Sequence, residues 1–312
     1  MKTKKKILIL GGNGFIGKNL MLKLNLPNYG VNEVDRNTCN LFDEDDIIKI
    51  LNDFEPNIVI NCAGIIGSSL GNKNKDQLNI LNDNNKITIN LFNAIKKNKS
   101  IEQIIFFSSY RCFSNKNKEY DINNNLLDYF NLTELTENNN SGYLLSKVFL
   151  ELQIRLFLKT SSVRVNNIYI PNIFGEHDYF NETSRIVPSL IYKIFYLKEN
   201  NISYLEKQCS SNILINLLFI DDLVYAIQNI ISNEESQLTI IISNPSNKIT
   251  IQSLINIIAN KVHPNLKVIF TSNEVEEKNI NNDLSIYCEN IHYTSLTDSL
   301  EKTIDFYINQ LN

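Results

Sequence analysis

Apolar residues alternate between short unbroken runs and helically spaced positions through the first half of the chain. Ile7 to Leu10 is a four-residue apolar run ending at a glycine cluster, which predicts a buried strand. Lys18 to Leu24 then spaces its apolar residues three and four apart, which predicts a helix. Val31 to Asp35 reads as a second strand. Glu44 to Phe54 is an amphipathic helix whose acidic first turn suits its N-terminus. Asn57 to Asn61, Gln103 to Ser108 and Val163 to Ile170 read as further strands, with helices over Leu78 to Lys97 and Tyr143 to Leu158. Such alternation predicts an α/β fold, a doubly wound parallel sheet with helices on both faces.

After Pro171 the pattern changes to helices (Val187 to Lys198, Asp221 to Ser232, Ile251 to Val262) mixed with short strands and polar loops. Leu214 to Ile220 and Leu238 to Ile242 are expected to rejoin the main sheet. The expected division is a dinucleotide-binding domain over 1–170, to which 214–243 returns. Residues 171–213 and 244–312 then form a smaller C-terminal α+β substrate lobe, beside the carboxyl ends of the strands where ligands bind in such folds.

The run Gly11-Gly12-Asn13-Gly14-Phe15-Ile16-Gly17 turns the first strand into the first helix. A glycine turn there brings backbone N–H groups against a pyrophosphate, and the helix N-terminus favours negative charge. The pattern alone also fits an ordinary strand-to-helix turn, so its weight rests on its company elsewhere in the chain. Asp35 ends the second strand, 18 residues after Gly17 (35 − 17). An acid there can accept hydrogen bonds from the adenosine ribose and would repel a 2′-phosphate, which predicts NAD rather than NADP. Arg36 argues the other way, because a guanidinium pairs well with a phosphate. Asn40 and Leu41 are expected to flank the adenine, and Cys62, Ala63 and Gly64 to let the backbone pass close to the cofactor.

Ser108 and Ser109 close the fourth strand, and 34 residues later (143 − 109) comes Tyr143-Leu144-Leu145-Ser146-Lys147. Four residues apart on a helix, Tyr143 and Lys147 share a face. A free phenol is a poor base at neutrality, and a neighbouring ammonium with an oxidised nicotinamide favours its ionised form. The expected roles are proton exchange for Tyr143, lowering of its pKa and holding of the ribose for Lys147, and alignment of the reacting oxygen for Ser109.

Composition narrows the partners. The chain of 312 residues is 43% hydrophobic and carries a net charge of -4, enough for a full core and without a basic footprint for nucleic acid. No apolar run approaches the ~20 residues of a membrane span. The basic cluster of Lys2 and Lys4 to Lys6 precedes too few apolar residues for an export signal, so a cytoplasmic protein is expected. Five scattered cysteines suit reduced thiols, and three isolated histidines give no metal-ligand pattern, so no metal is expected. The asparagine runs, Asn123 to Asn125 and Asn138 to Asn140, read as loop composition.

Together these residues resemble the extended short-chain dehydrogenase/reductase family that modifies nucleotide sugars, and within it the GDP-L-fucose synthase-like branch. Asn40-Leu41-Phe42-Asp43, Ser108 to Phe113, Pro171 to Phe180, Ser184 to Leu190 and Phe219 to Leu223 carry the resemblance, which weakens after about Ile231. It implies a Rossmann lobe, a substrate lobe, a homodimer formed through helices, and a nucleotide-diphosphate sugar, GDP-linked, between the lobes. It also implies Pro171 and Ile173 at the cofactor, and Asn172, Val187 and Pro188 at the substrate. The branch carries a cysteine two residues beyond the serine and a histidine ahead of the Val-Ile-Pro segment, which move protons at C3 and C5. Arg111 and Arg185 stand at those positions, and a guanidinium cannot serve as that acid/base pair. Cys112 is one residue out of register. The expected activity is therefore hydride transfer at C4 of a hexose or heptose without epimerisation, as 4-dehydrogenase or 4-keto reductase in surface polysaccharide synthesis. NAD tilts the expected direction toward oxidation. An NAD-retaining C4 epimerase and a non-catalytic dinucleotide-binding scaffold stay open, and Arg111 and Arg185 are expected to reach the substrate.

Overall fold

The computed structural model describes residues 4–67, 76–113, 126–234, 236, 238–271 and 292–311. Lys2, Asn123 to Asn125 and Cys288 lie outside them. The other four cysteines are free thiols.

Six parallel strands form the main sheet: β1 (Lys5–Leu10), β2 (Tyr29–Val34), β3 (Ile58–Asn61), β4 (Gln103–Ser109), β5 (Arg164–Ile170) and β9 (Thr239–Ile241). Their spatial order is β2-β1-β3-β4-β5-β9. The chain leaves β1 toward one side and returns at β3 on the other, so a crevice opens at the carboxyl ends of β1 and β3. The period of two along β1 decides the layers. Ile7 and Ile9 enter one apolar core, while Leu8 and Leu10 enter the other. The first core includes α1 (Phe15–Lys23) and α7 (Ile220–Ser232). Packed in the second are α2 (Glu44–Phe54), α3 (Gln77–Lys97) and α5 (Ser141–Phe157).

The helices start where local chemistry permits. The Asp43 carboxylate accepts from Asp45 N at 3.0 Å, and Asp76 caps α3 by accepting from Leu78 N at 2.9 Å. α1 starts at Phe15, directly behind Gly14, and no side chain caps it. Its first N–H groups therefore point into the crevice unpaired by a side chain.

The strand expected over 214–220 forms as β8 (Leu214–Phe219), but it does not rejoin the main sheet. It pairs parallel with β6 (Asn172–Phe174) and antiparallel with β10 (Lys248–Thr250) in a separate three-stranded sheet. Only β9 returns, pairing Asn167 to Tyr169 with Thr239 to Ile241. A parallel pair β7 (Tyr204–Lys207) and β11 (Lys267–Phe270) completes the sheets among the described residues. Around them lie α6 (Ile186–Glu199), α8 (Ile251–Val262) and α9 (Leu296–Leu311), with the short α4 (Leu132–Glu137) ahead of α5. This is a parallel Rossmann sheet with a smaller C-terminal α+β assembly.

Tyr307 of α9 ties that assembly together. Its buried hydroxyl accepts from Asp178 N at 3.0 Å and lies 3.0 Å from Gly175 O, to which it donates, while its ring stacks on Phe180 at 4.3 Å. Tyr307→Phe keeps the stacking and strands the Asp178 N–H and the Gly175 carbonyl. A loss of about 1–3 kcal/mol is expected, read as a lower urea midpoint with unchanged slope.

Candidate active site

The glycine turn is shaped by close approach. Gly11 has φ +80, and a Cβ there would stand 2.9 Å from Ala63 N; one on Gly17 would run into Gly11 O. Only glycine lets the turn settle against the end of β3, beside Cys62 and Ala63. The result is a cradle of backbone at the uncapped N-terminus of α1, sized and polarised for a phosphate. A dinucleotide pyrophosphate fits this cradle.

At the end of β2, the Asp35 carboxylate builds its own turn. It accepts from Asn37 N at 2.8 Å and from Thr38 N and Thr38 Oγ1, each at 3.2 Å, and Asn13 Nδ2 also donates to it. Those backbone hydrogen bonds, Asn37 foremost, hold its pKa below the ordinary value. Arg36 beside it is exposed, and no described residue pairs with it. Asn40 is exposed with its carbonyl oxygen turned to Phe42 N, and the Leu41 carbonyl accepts from Asn90.

Strand alternation separates the two serines. Ser108 is buried and donates to Asn167 Oδ1 at 2.8 Å. The Ser109 hydroxyl caps the 3₁₀ turn Tyr110–Cys112, accepting from Arg111 N at 3.2 Å. Cys112 is fully buried and its thiol donates to Leu144 O at 3.5 Å, so it faces α5 beneath Tyr143. Burial raises that thiol to about 12, which keeps it protonated. The turn carrying Ser109 and Arg111 therefore packs on the helical turn carrying Tyr143.

Tyr143 and Lys147 are both half-buried, enclosed by the cleft walls. Lys147 Nζ lies 5.4 Å from the Tyr143 ring centroid, and a Cβ on Gly64 would stand 4.0 Å from it. Burial lowers Lys147 to about 8 and raises Tyr143 to about 12. Desolvation outweighs any help from the ammonium, and the charges that favour ionisation of the phenol are Arg185 and Arg111. The phenol stays neutral and holds a proton at physiological pH.

Arg111 retains exposed surface and donates from Nη2 to Asn138 Oδ1 at 3.2 Å, just ahead of α5; desolvation lowers its pKa from the usual guanidinium value. Arg185, at the start of α6, pairs through Nη1 with Asp178 Oδ1 at 2.5 Å and lies 5.0 Å over the Phe15 ring. It spans from the C-terminal assembly to the head of α1. Burial pushes Asp178 up, against the pull of Arg185. Ile16 packs partly buried against the core.

Not every expected residue reaches the cleft. Val187 has no exposed surface, Ile173 and Pro188 are buried, and Ile173 and Val187 belong to the core. Pro171 is half-buried, and exposed Asn172 turns its amide to Asn216 O at 3.2 Å. Two residues without a sequence signal support the site. Asn84 of α3 accepts from Ile65 N at 2.8 Å and donates to Ile65 O at 2.9 Å, pinning the loop after Gly64. Glu151, with no exposed side-chain surface, accepts from Asn167 at 2.8 Å and pairs with Arg155 at 2.9 Å, beneath Ser108. Asn84 is masked by the asparagine-rich composition. Glu151 sits four and eight residues beyond Lys147 and Tyr143, so a charge on the buried face of this helix is its one visible trace. Among the described residues, no group of His, Cys, Asp and Glu is placed to hold a metal, and no helix is long and apolar enough to cross a membrane.

A model of the NAD dependent epimerase/dehydratase family matches residues 7–242. GDP-L-colitose synthase of Yersinia pseudotuberculosis is 29% identical over 203 residues, covering 64% of this chain and 64% of its own length. The match thus spans less than two thirds of that relative. Among solved structures, a GDP-L-fucose synthetase from Naegleria fowleri bound to NADP superposes with TM-score 0.79 at 17% identity, over 100% of this chain and 95% of its own. A GDP-mannoheptose C4 reductase from Campylobacter jejuni with NADP bound does so with TM-score 0.76 at 15% identity, over 99% of each chain. The NADP in both overturns the expectation of NAD over NADP. The physical reason lies at Asp35, whose carboxylate is occupied by its own turn while Arg36 stands open.

Lys147 ties site chemistry to stability. Its folded pKa of about 8 lies below the ordinary value of 10.5, so between pH 8 and 10 the unfolded chain binds more protons and stability rises with pH. Above pH 10 the raised Tyr143 reverses the trend, since the unfolded phenol ionises first. Lys147→Met is expected to be more stable than wild type at pH 7 by about 1–2 kcal/mol and to lose the rise between pH 8 and 10. Denaturant melts across pH check both.

Proposed function

This chain belongs to the NAD dependent epimerase/dehydratase family, and on that premise we propose that it is an NADPH-dependent reductase of a 4-keto nucleotide-diphosphate sugar. The observation that carries the reading is the pairing of Tyr143 and Lys147 one helical turn apart, with Lys147 Nζ 5.4 Å from the phenol ring and close to Gly64, on the helix against which the Ser109 to Cys112 turn packs. The names of the colitose synthase and the mannoheptose reductase support a GDP-linked hexose or heptose. The roles of the cleft residues then run in the reductive direction.

When bound, the reduced dinucleotide supplies a hydride to the carbonyl carbon. The backbone of the Gly11 to Gly17 turn holds its pyrophosphate and Arg36 its 2′-phosphate, with Asn40 and Leu41 at the adenine. Lys147 donates to the ribose hydroxyls near Gly64. The Ser109 hydroxyl donates to the C4 oxygen and aligns it. Tyr143 gives that oxygen its proton as negative charge develops, so the carbonyl becomes an alcohol and the phenol is reprotonated from solvent. Arg111 and Arg185 stay charged, so neither can exchange protons at C3 or C5. A second reading, a C4 epimerase that keeps its dinucleotide, draws on the family's own description and uses the same three residues.

The dinucleotide-binding part then takes the residues up to 170 with β9, and the substrate lobe takes the three-stranded sheet of β6, β8 and β10; a cytoplasmic setting and a role in surface polysaccharide synthesis are proposed with it. A homodimer is proposed through α3 and α5. Leu78 and Ile89 on the first, and Phe149, Leu152 and Leu156 at helical spacing on the second, are large apolar side chains left exposed.

Incubation with NADPH and a GDP-4-keto-hexose is expected to consume NADPH and yield a C4 alcohol, with no deuterium from heavy water at C3 or C5. Label at those carbons would defeat the no-epimerisation claim, and a C4-inverted product formed from GDP-sugar without net NADPH use would favour the epimerase. Tyr143→Phe is expected to lower kcat about 10²–10⁴-fold while NADPH still binds. Leu152→Glu is expected to halve the mass in sedimentation, and an unchanged mass would rule out this interface.

A further inference from the structure

Positive charge accumulates at one end of the cleft. Arg111 follows Ser109 by two residues and is tethered to Asn138 at 3.2 Å; Lys147 Nζ stands 5.4 Å from the Tyr143 ring; Arg185 leans over Phe15. The negative group facing them is Asp178, whose side chain has no exposed surface and already pairs with Arg185 at 2.5 Å. Among the described residues, no carboxylate contacts Arg111. The turn carrying Arg111 packs on the helical turn carrying Tyr143, and Asn138 holds its guanidinium just ahead of that helix, which sets its charge on the side of the phenol.

The two redox forms of that ring differ by one unit of charge. Oxidised, it carries a positive charge; reduced, it carries none. A guanidinium that cannot lose its proton therefore raises the free energy of the oxidised form and leaves the reduced form nearly untouched. Arg111 is exposed and Arg185 a third exposed, so solvent screens part of this effect and leaves a modest ratio to measure.

We propose that Arg111, reinforced by Arg185, makes this cleft select the reduced dinucleotide over the oxidised one. The cleft thereby holds the hydride donor and expels it once oxidised. This rests on the proposed reductase function, which puts the nicotinamide beside Tyr143, and it concerns which redox form is held and which is released, not the equilibrium of hydride transfer. It also gives the two arginines a role at positions where a titrating pair would otherwise act on the sugar. The pyrophosphate and 2′-phosphate are the same in both redox forms, so contacts to them cancel in the ratio of affinities.

The test is dissociation constants for NADPH and NADP⁺, by calorimetry and ligand fluorescence at pH 7 and fixed salt, for wild type, R111Q and R111K. Wild type is expected to bind NADPH about tenfold more tightly than NADP⁺, and R111Q to reduce that ratio about three- to tenfold. R111K keeps the charge and is expected to keep most of the preference. Equal binding of both forms by wild type, or an R111Q ratio within twofold of wild type, would overturn the inference alone. So would R111Q weakening both forms by one factor, since that marks a phosphate contact or a structural role. Failure of wild type to bind either dinucleotide would overturn this inference together with the reductase function beneath it.

Discussion

A cation enclosed by protein has to be compensated or tolerated, and the ammonium of Lys147 is tolerated. Burial holds it at about 8, and the thiols of Cys62 and Cys112 nearby stay protonated because burial raises both. No carboxylate is supplied to neutralise it among the described residues. The surrounding structure instead makes room. Gly64 carries no side chain where Lys147 reaches it, and Asn84 pins the next residue through both of its amide atoms. Burial of the ammonium without a carboxylate is costly, which is why removing it is expected to stabilise the fold.

The same enclosure decides the state of Tyr143. The ion-pair argument, that an ammonium four residues away makes a phenol acidic, treats the helix as if it stood in water. In the folded chain, desolvation acts on both partners and drives them apart, the phenol to about 12 and the ammonium to about 8. A phenol that keeps its proton is an acid in waiting.

Much of the fold is legible in the sequence because period and punctuation are local. The four-residue runs of β1 and β3, the glycine turn and the Tyr143–Lys147 spacing each lie within a dozen residues, and the Rossmann sheet grows out of them. What is not legible is set by partners distant in sequence. β8 has the composition of a main-sheet strand, yet β6 and β10 capture it, because Ile215 and Leu218 find pairing there rather than beside β5. From its place at a strand end, Asp35 reads as a ribose ligand. Its three contacts to Asn37 and Thr38 make it a turn residue, a role that asparagine and threonine two and three positions on signal locally. Ser108 and Ser109 illustrate alternation: the sequence marks a pair, and the pleat sends one to Asn167 and the other to the cleft.

The arginines show how a site can change its chemistry without losing its frame. An acid/base pair must exchange protons near neutrality, and a guanidinium does not, so the proposed function assigns no proton traffic to Arg111 and Arg185. It leaves behind fixed charge, and the fold has anchored that charge. Arg185 is gripped by Asp178, Asp178 is gripped through its backbone by Tyr307, and Tyr307 belongs to the last helix of the chain. Arg111 is tethered to the turn that leads into the helix of Tyr143. Charges anchored in this way cannot follow a proton; under the proposed function they act on the charge that appears at the nicotinamide and the phenol. The C-terminal assembly thus contributes to the electrostatics of the reaction centre as well as to its walls.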